Sequence, residues 1–217
     1  MPVGITQEMT WHVWHGVAND TRCPDRLGGV GRRADVAGTV LRLQASAVAV
    51  QDAVPRVLAV GQPIFIGDVL STGKGARLEV RMIDDAVMTP GERTSFVVID
   101  YIFSDGLGNG AMRLLSGALL ATSGEIAKQA SNPFEIAAEF GTIGIRGTTV
   151  WGGLIDGAWG VVLLDGAGVS VENGAGRADL TEVTAGTRIT GATEAPGAVK
   201  RWSAEKLARA KRTVSFQ

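Results

Sequence analysis

Gly67-Asp-Val-Leu-Ser-Thr-Gly-Lys74 is the stretch whose residue types come nearest to phosphate chemistry, because glycines followed by a lysine can cradle an anion on backbone amides. The spacing does not serve. Five residues rather than four separate Gly67 from Gly73, Gly75 stands where a magnesium-binding hydroxyl is needed, and the context reads strand, turn, strand. Asp105-Gly-Leu-Gly-Asn-Gly110 reads as a hairpin loop between Phe103 and Ala111, not as a dinucleotide fingerprint, since no helix follows it. His12, His15 and Cys23 are three residue types that bind zinc, but no fourth ligand stands at a usual distance. No histidine follows His15 and no cysteine follows Cys23, so Ser-His-Asp and Cys-His catalysis is excluded from the rest of the chain. Asp84, Asp85, Asp100 and Asp105 could in principle pair as acid and base, or bind calcium with Asn109. Their spacing matches no calcium loop, and they read as turn residues. The expectation is a protein that is not an enzyme and uses neither metal nor cofactor.

Two groupings of cations remain. In Gly141-Thr-Ile-Gly-Ile-Arg-Gly-Thr148, Ile143 and Ile145 would point to one face of a strand and Arg146 to the other, while Gly144 and Gly147 permit close approach. An arginine so placed is expected to pair with a carboxylate, Asp68 or Asp165, and to hold the fold. Lys200, Arg201, Lys206, Arg209, Lys211 and Arg212 gather against Glu205 near the end of the chain. They form either a contact for a polyanion or the solvated side of a helix whose Trp202, Leu207 and Val214 dock on a sheet.

The elements that must position these residues are strands. Gly38 to Leu43, Ala76 to Met82, Thr94 to Phe103 and Ala111 to Leu115 are short β-branched or alternating runs. In Ala76 to Met82 the apolar residues alternate with Arg77, Glu79 and Arg81, which predicts a strand with a charged outer face. The rhythm continues through Thr148 to Trp151, Gly160 to Leu164, Val169 to Val171 and Val183, with the 30 glycines of the chain acting as turn punctuation. One helix is predicted, capped by Ser203, favoured at its start by Glu205 and running to Arg212. With 217 residues, 45% of them apolar, the chain can bury one core. Its net charge of -1 offers no general field for nucleic acid, and it has no apolar run long enough to span a bilayer. Residues 1–34 differ in composition and show no export signal. They read as a poorly ordered tail or a start that is not the native one.

The string Ile143-Gly-Ile-Arg-Gly-Thr148 closely resembles the signature of the FecR domain family, and other segments agree in order. These are Val36-Ala-Gly-Thr-Val40, the run from Leu58 through Gly61, Ile64, Gly67, Asp68, Leu70 and Thr72 to Gly73, then Ala76-x-Leu78-x-Val80, Leu114-x-x-Gly117-x-Leu119, Leu163 to Val171 and Val183-x-x-Gly186. The resemblance covers residues 36–190. It implies an all-β domain over residues 35–193, a two-layer β-sandwich or a solenoid-like coil, followed by a linker and short basic helix in 194–217. It marks Gly67, Asp68, Gly144, Arg146, Gly147 and Thr148 as structural signature positions. Where the family often has Asp-Gly, this chain has Asp84-Asp85, so that turn is expected to be shaped differently. The resemblance further implies a stand-alone domain without the family's anti-sigma and transmembrane regions, placed in the periplasm or outside the cell. There it would bind or sense an envelope protein or a glycan. A self-associating structural protein of the envelope is the alternative, and the oligomeric state is open.

Overall fold

A computed structural model describes residues 35–129 and 134–217. The chain divides into residues 1–33 and 34–217, and everything below concerns the second unit. His12, His15 and Cys23 lie outside the described residues.

The described residues form sixteen strands and one α-helix, joined into one connected and mostly antiparallel sheet that does not close into a barrel. In chain order the strands are β1 (Val36–Gln44), β2 (Ala47–Gln51), β3 (Val54–Val57), β4 (Pro63–Phe65), β5 (Val69–Thr72), β6 (Arg77–Met82), β7 (Val87–Pro90) and β8 (Ser95–Ser104). There follow β9 (Leu107–Ser116), β10 (Ala118–Thr122), a 3-10 turn (Ile126–Lys128), β11 (Phe134–Ala138), β12 (Gly141–Ile155) and β13 (Ala158–Asn173). The last elements are β14 (Gly176–Leu180), β15 (Ala185–Ile189), β16 (Lys200–Arg201) and α1 (Ala204–Val214).

The long β12 organises the rest. One of its edges pairs with β13 along almost its full length, while the other pairs first with β11, from Gly141 to Ile145, and then with β10, from Thr149 to Gly153. The sheet therefore forks at Arg146, Gly147 and Thr148. One arm runs β11-β9-β8-β5-β2-β3 and the other β10-β7-β6-β1-β4. Buried residues of both arms, among them Phe96, Val98 and Met112 of the first and Val80, Met88 and Leu119 of the second, belong to a single core. The two arms thus share one core within one connected all-β sheet.

Gly147 makes the fork possible. Its φ of +59° is a left-handed conformation that an L side chain adopts at a cost, and it shifts the alternation of the strand by one residue. Before it, Ile143 and Ile145 face the core; after it, the inward positions are Thr148 and Val150. A one-residue slip exchanges the two faces of a strand, so Trp151 turns outward to a second cluster beneath α1.

The helix starts as its sequence predicts. The Ser203 hydroxyl accepts from the Lys206 N–H at 3.3 Å, and the first turn carries Glu205. Trp202 and Val214 are buried against Trp151, Ala118 and Val162, with Leu207 packed beside them. The helix explains a departure on β6. Arg77, expected on a charged outer face, is only 5% exposed, and its guanidinium donates to the carbonyls of Ala76 (2.7 Å) and Arg212 (3.2 Å).

Two turns also differ from their sequence readings. Asp85 adopts φ +65°, the conformation for which glycine is usual, so the Asp84-Asp85 turn keeps a glycine-like backbone. The hairpin between β8 and β9 needs only Asp105-Gly106, both at positive φ. Gly108 and Gly110 lie within β9, and a Cβ on Gly110 would stand 2.6 Å from the Phe134 ring. Val183 belongs to no strand and is exposed in a turn.

Candidate functional site

The signature residues divide between the two faces of β12. Inward, Ile143 and Ile145 are buried, and the backbone of Thr148 exchanges hydrogen bonds with Ser123 at the end of β10. The Thr148 N–H donates to Ser123 Oγ at 2.8 Å, and the Ser123 N–H donates to the Thr148 carbonyl at 3.0 Å. Opposite Thr148 on β13, Gly166 is wedged so tightly that an added Cβ would lie 2.3 Å from the Gly147 carbonyl oxygen. These positions bind the two arms to their common strand.

Outward, the same strand contributes to a polar face built by β11, β12, β13 and β14. Across it run the aligned rows Glu135, Gly144, Ser170, Asp179 and Ala137, Thr142, Glu172, Arg177. Arg146 comes next on β12, opposite Gly168. The side chains that are missing matter as much as those present. Gly144 leaves room for Ser170, whose Oγ would lie 2.5 Å from an added Cβ, and Gly168 and Ala167 leave a low floor beside Arg146. The result is a groove of about 620 Å³. Arg177 binds Asp179 at 2.8 Å and Glu172 at 3.5 Å, and the Asp179 hydrogen bond raises its pKa above the ordinary arginine value. Arg146 is exposed, and its guanidinium makes no hydrogen bond or ion pair with any described residue.

The pairing expected from the sequence is thus not the one formed. Asp68, fully buried, accepts from Arg56 at 2.7 Å and from the Phe65 N–H at 2.9 Å. Arg56 also donates to the Pro63 carbonyl at 2.8 Å and stacks over the Phe65 ring. Asp165 lies exposed at a different part of β13, opposite Thr149. The partner of Asp68 went unrecognised because Arg56 belongs to β3, an edge strand with no motif of its own. Gly67 stands at φ +91° in the turn before Asp68. The loop that resembled a phosphate cradle is the strand β5 between two turns, paired with β2 and β8.

The aspartates do not converge on a cleft. Asp84 is buried in a network with Tyr101, Asp100 binds Asn109 at 2.8 Å on the surface, and Asp105 is a turn residue. Among the described residues no three His, Cys, Asp or Glu side chains come together to hold a metal ion.

The basic cluster near the end of the chain is partly neutralised. Arg209 reaches Asp156 with two hydrogen bonds, 2.8 and 3.2 Å, and Lys206 lies 3.5 Å from the same carboxylate while its ammonium sits over the Trp202 ring. Arg201 meets Glu182 at 3.4 Å. Lys200, Lys211 and Arg212 are exposed. Asp156, in the β12–β13 turn, has its pKa lowered, first by the Arg209 hydrogen bond and then by the charges of Arg209 and Lys206. A carboxylate lowered on folding adds stability above its unfolded value, about 3.9, and loses it as pH falls through the lower folded value. Comparison of acid unfolding curves should therefore show Asp156→Asn differing from the parent at neutral pH and converging with it in acid.

Against known proteins, residues 68–170 match the FecR protein family. That stretch is similar to a FecR-type domain. The match is narrower than the 36–190 read from the sequence, but it holds the fork, Arg146 and most of both arms. Members of the family are regulatory and associated with the cell envelope. No curated protein matches the chain. Two crystal structures of a candidate anti-sigma factor from Parabacteroides distasonis ATCC 8503 share the fold, with TM-scores of 0.51 and 0.52 and identities of 15% and 14%. Each comparison covers 64% of this chain and 62% of that one. No helix among the described residues is long and apolar enough to cross a membrane.

Proposed function

We propose that this chain is a non-catalytic binding and sensing module of the cell envelope, and that it engages a partner protein over the outer face of β11–β14. The observation that carries the proposal is the state of Arg146. It is the one charged residue of the string from Ile143 to Thr148, and it stands exposed, unpaired among the described residues, beside a floor of Gly144 and Gly168. A guanidinium presented in this way suits a carboxylate on a partner, bound through two parallel hydrogen bonds. A protein suits the groove better than a glycan, because none of its lining residues carries an aromatic ring on which a sugar could stack. Self-association through strand edges is disfavoured by two prolines. Pro55 lies on β3 and Pro63 on β4, the strands that end the two arms, and proline removes a donor from a free edge.

Capture from an envelope extract, with the parent protein and Arg146→Ala side by side, tests this. A discrete protein held in fixed stoichiometry by the parent and lost by the variant, at an unchanged melting temperature, is the expected result. An exposed substitution of this kind changes stability by less than about 0.5 kcal/mol. Equal retention by both proteins, or assembly of the purified chain that grows with concentration in sedimentation, would refute the reading.

A further inference from the structure

Near the far end of β12 two large apolar side chains stand exposed beside a cleft. Leu154 on β12 is 61% exposed and Leu115 at the end of β9 is 46% exposed, a large apolar exposure for residues beside a core. Between them lies a cleft of about 450 Å³ that Phe140 and Ala158 also line. Trp159 and Ile189 line it too, and both belong to the main core, so the cleft opens onto the interior and not onto a flat surface. Its charged lining consists of Arg188 on β15 and Glu139 in the β11–β12 turn. Neither side chain makes a hydrogen bond or ion pair with a described residue, and Arg188 is exposed.

We infer that this cleft binds a single-chain amphiphile with a monoanionic head, its aliphatic chain between Leu115, Leu154 and Trp159 and its carboxylate on Arg188. A concave, mostly apolar site with a few polar groups at its rim is the usual form of a small-ligand pocket, and the volume lies in the usual range. The unpaired guanidinium supplies the complement to a carboxylate. Glu139 at the same rim offsets part of the Arg188 charge, which disfavours heads that carry more than one negative charge. The site is separate from the Arg146 face and does not depend on the role proposed for it.

Dodecanoate is the probe, titrated calorimetrically into the full chain below its micellar concentration, with dodecanol as the uncharged control. Saturable binding of one dodecanoate per chain is expected. Leu154→Glu should abolish it without lowering the melting temperature, and Arg188→Gln should weaken dodecanoate by about tenfold while leaving dodecanol unaffected. Arg146→Ala should bind as the parent does. Absence of saturable binding, unchanged affinity in Leu154→Glu, or equal loss of both probes in Arg188→Gln would overturn the assignment.

Discussion

Asp84→Ala lowers the free energy of unfolding by about 3–5 kcal/mol, read as a shift of the urea midpoint at constant slope. Asp84 is 1% exposed and its carboxylate satisfies three donors. Oδ1 accepts from the Tyr101 hydroxyl at 2.6 Å and from the Ala86 N–H at 3.1 Å, and Oδ2 accepts from the Ile126 N–H at 3.0 Å. Its backbone carbonyl takes the Glu125 N–H at 2.9 Å. Gly124 packs so closely that a Cβ there would lie 2.2 Å from that carbonyl oxygen, leaving no room for the donors to find water. Alanine strands all three donors in a dry site, whereas Tyr101→Phe removes one donor and costs about 1–2 kcal/mol. If Asp84→Ala and Tyr101→Phe lose the same amount, the network is not what holds the β6–β7 turn to the 3-10 turn.

The same network sets the alkaline limit. Burial, then the hydrogen bond to Asp84 and its charge, push the Tyr101 hydroxyl far above its ordinary value of 10.0. A phenol held neutral in the folded state contributes stability that is fully present below the unfolded value and lost as pH rises from there toward the folded one. The parent should therefore weaken above about pH 10 more steeply than Tyr101→Phe does.

Trp202→Ala costs about 3–5 kcal/mol by the same urea measurement. The indole is 7% exposed and meets the fully buried Trp151 edge to face, with ring centroids 5.9 Å apart at 67°. Two glycines form its floor. A Cβ on Gly186 would lie 2.4 Å from the Trp202 Nε1, and one on Gly160 would lie 2.9 Å from the ring. The other end of the helix is seated in the same way. Thr213 accepts from the Trp151 Nε1–H at 3.0 Å, and its carbonyl oxygen occupies the place that a Cβ of Gly91 would need. Loss of the indole should also shift Trp151 emission to the red. A loss below about 1 kcal/mol, typical of a surface substitution, would mean that α1 is appended to the sheet and is not part of its core.

The legible parts of the sequence were those governed by local rules. Alternation in Ala76 to Met82 and the Ser203 cap each depend on neighbours a few residues apart, and both appear where the sequence places them. Arg77 shows where such reading stops. Its outward direction was correct, but the helix that buries it comes 135 residues later in the chain. Asp84 was recognised as a turn residue, yet its role comes from Tyr101 and Ile126, which no spacing rule connects to it.

Arg146 draws the line most sharply. The string from Ile143 to Thr148 carried the family resemblance and the direction of the arginine, because the strand period and the glycines are local. It did not reveal that residues 146–148 are the place where one strand exchanges one neighbour for another, since that depends on β10 and β11 meeting the same edge. Nor did it reveal that Arg56, from a distant edge strand, takes Asp68, one of the two carboxylates expected for Arg146. The sequence by itself determined an all-β chain with a capped terminal helix and its resemblance to the FecR family. Only the tertiary structure decided which charges are paired, because pairing is a competition in space among groups that the chain order keeps apart.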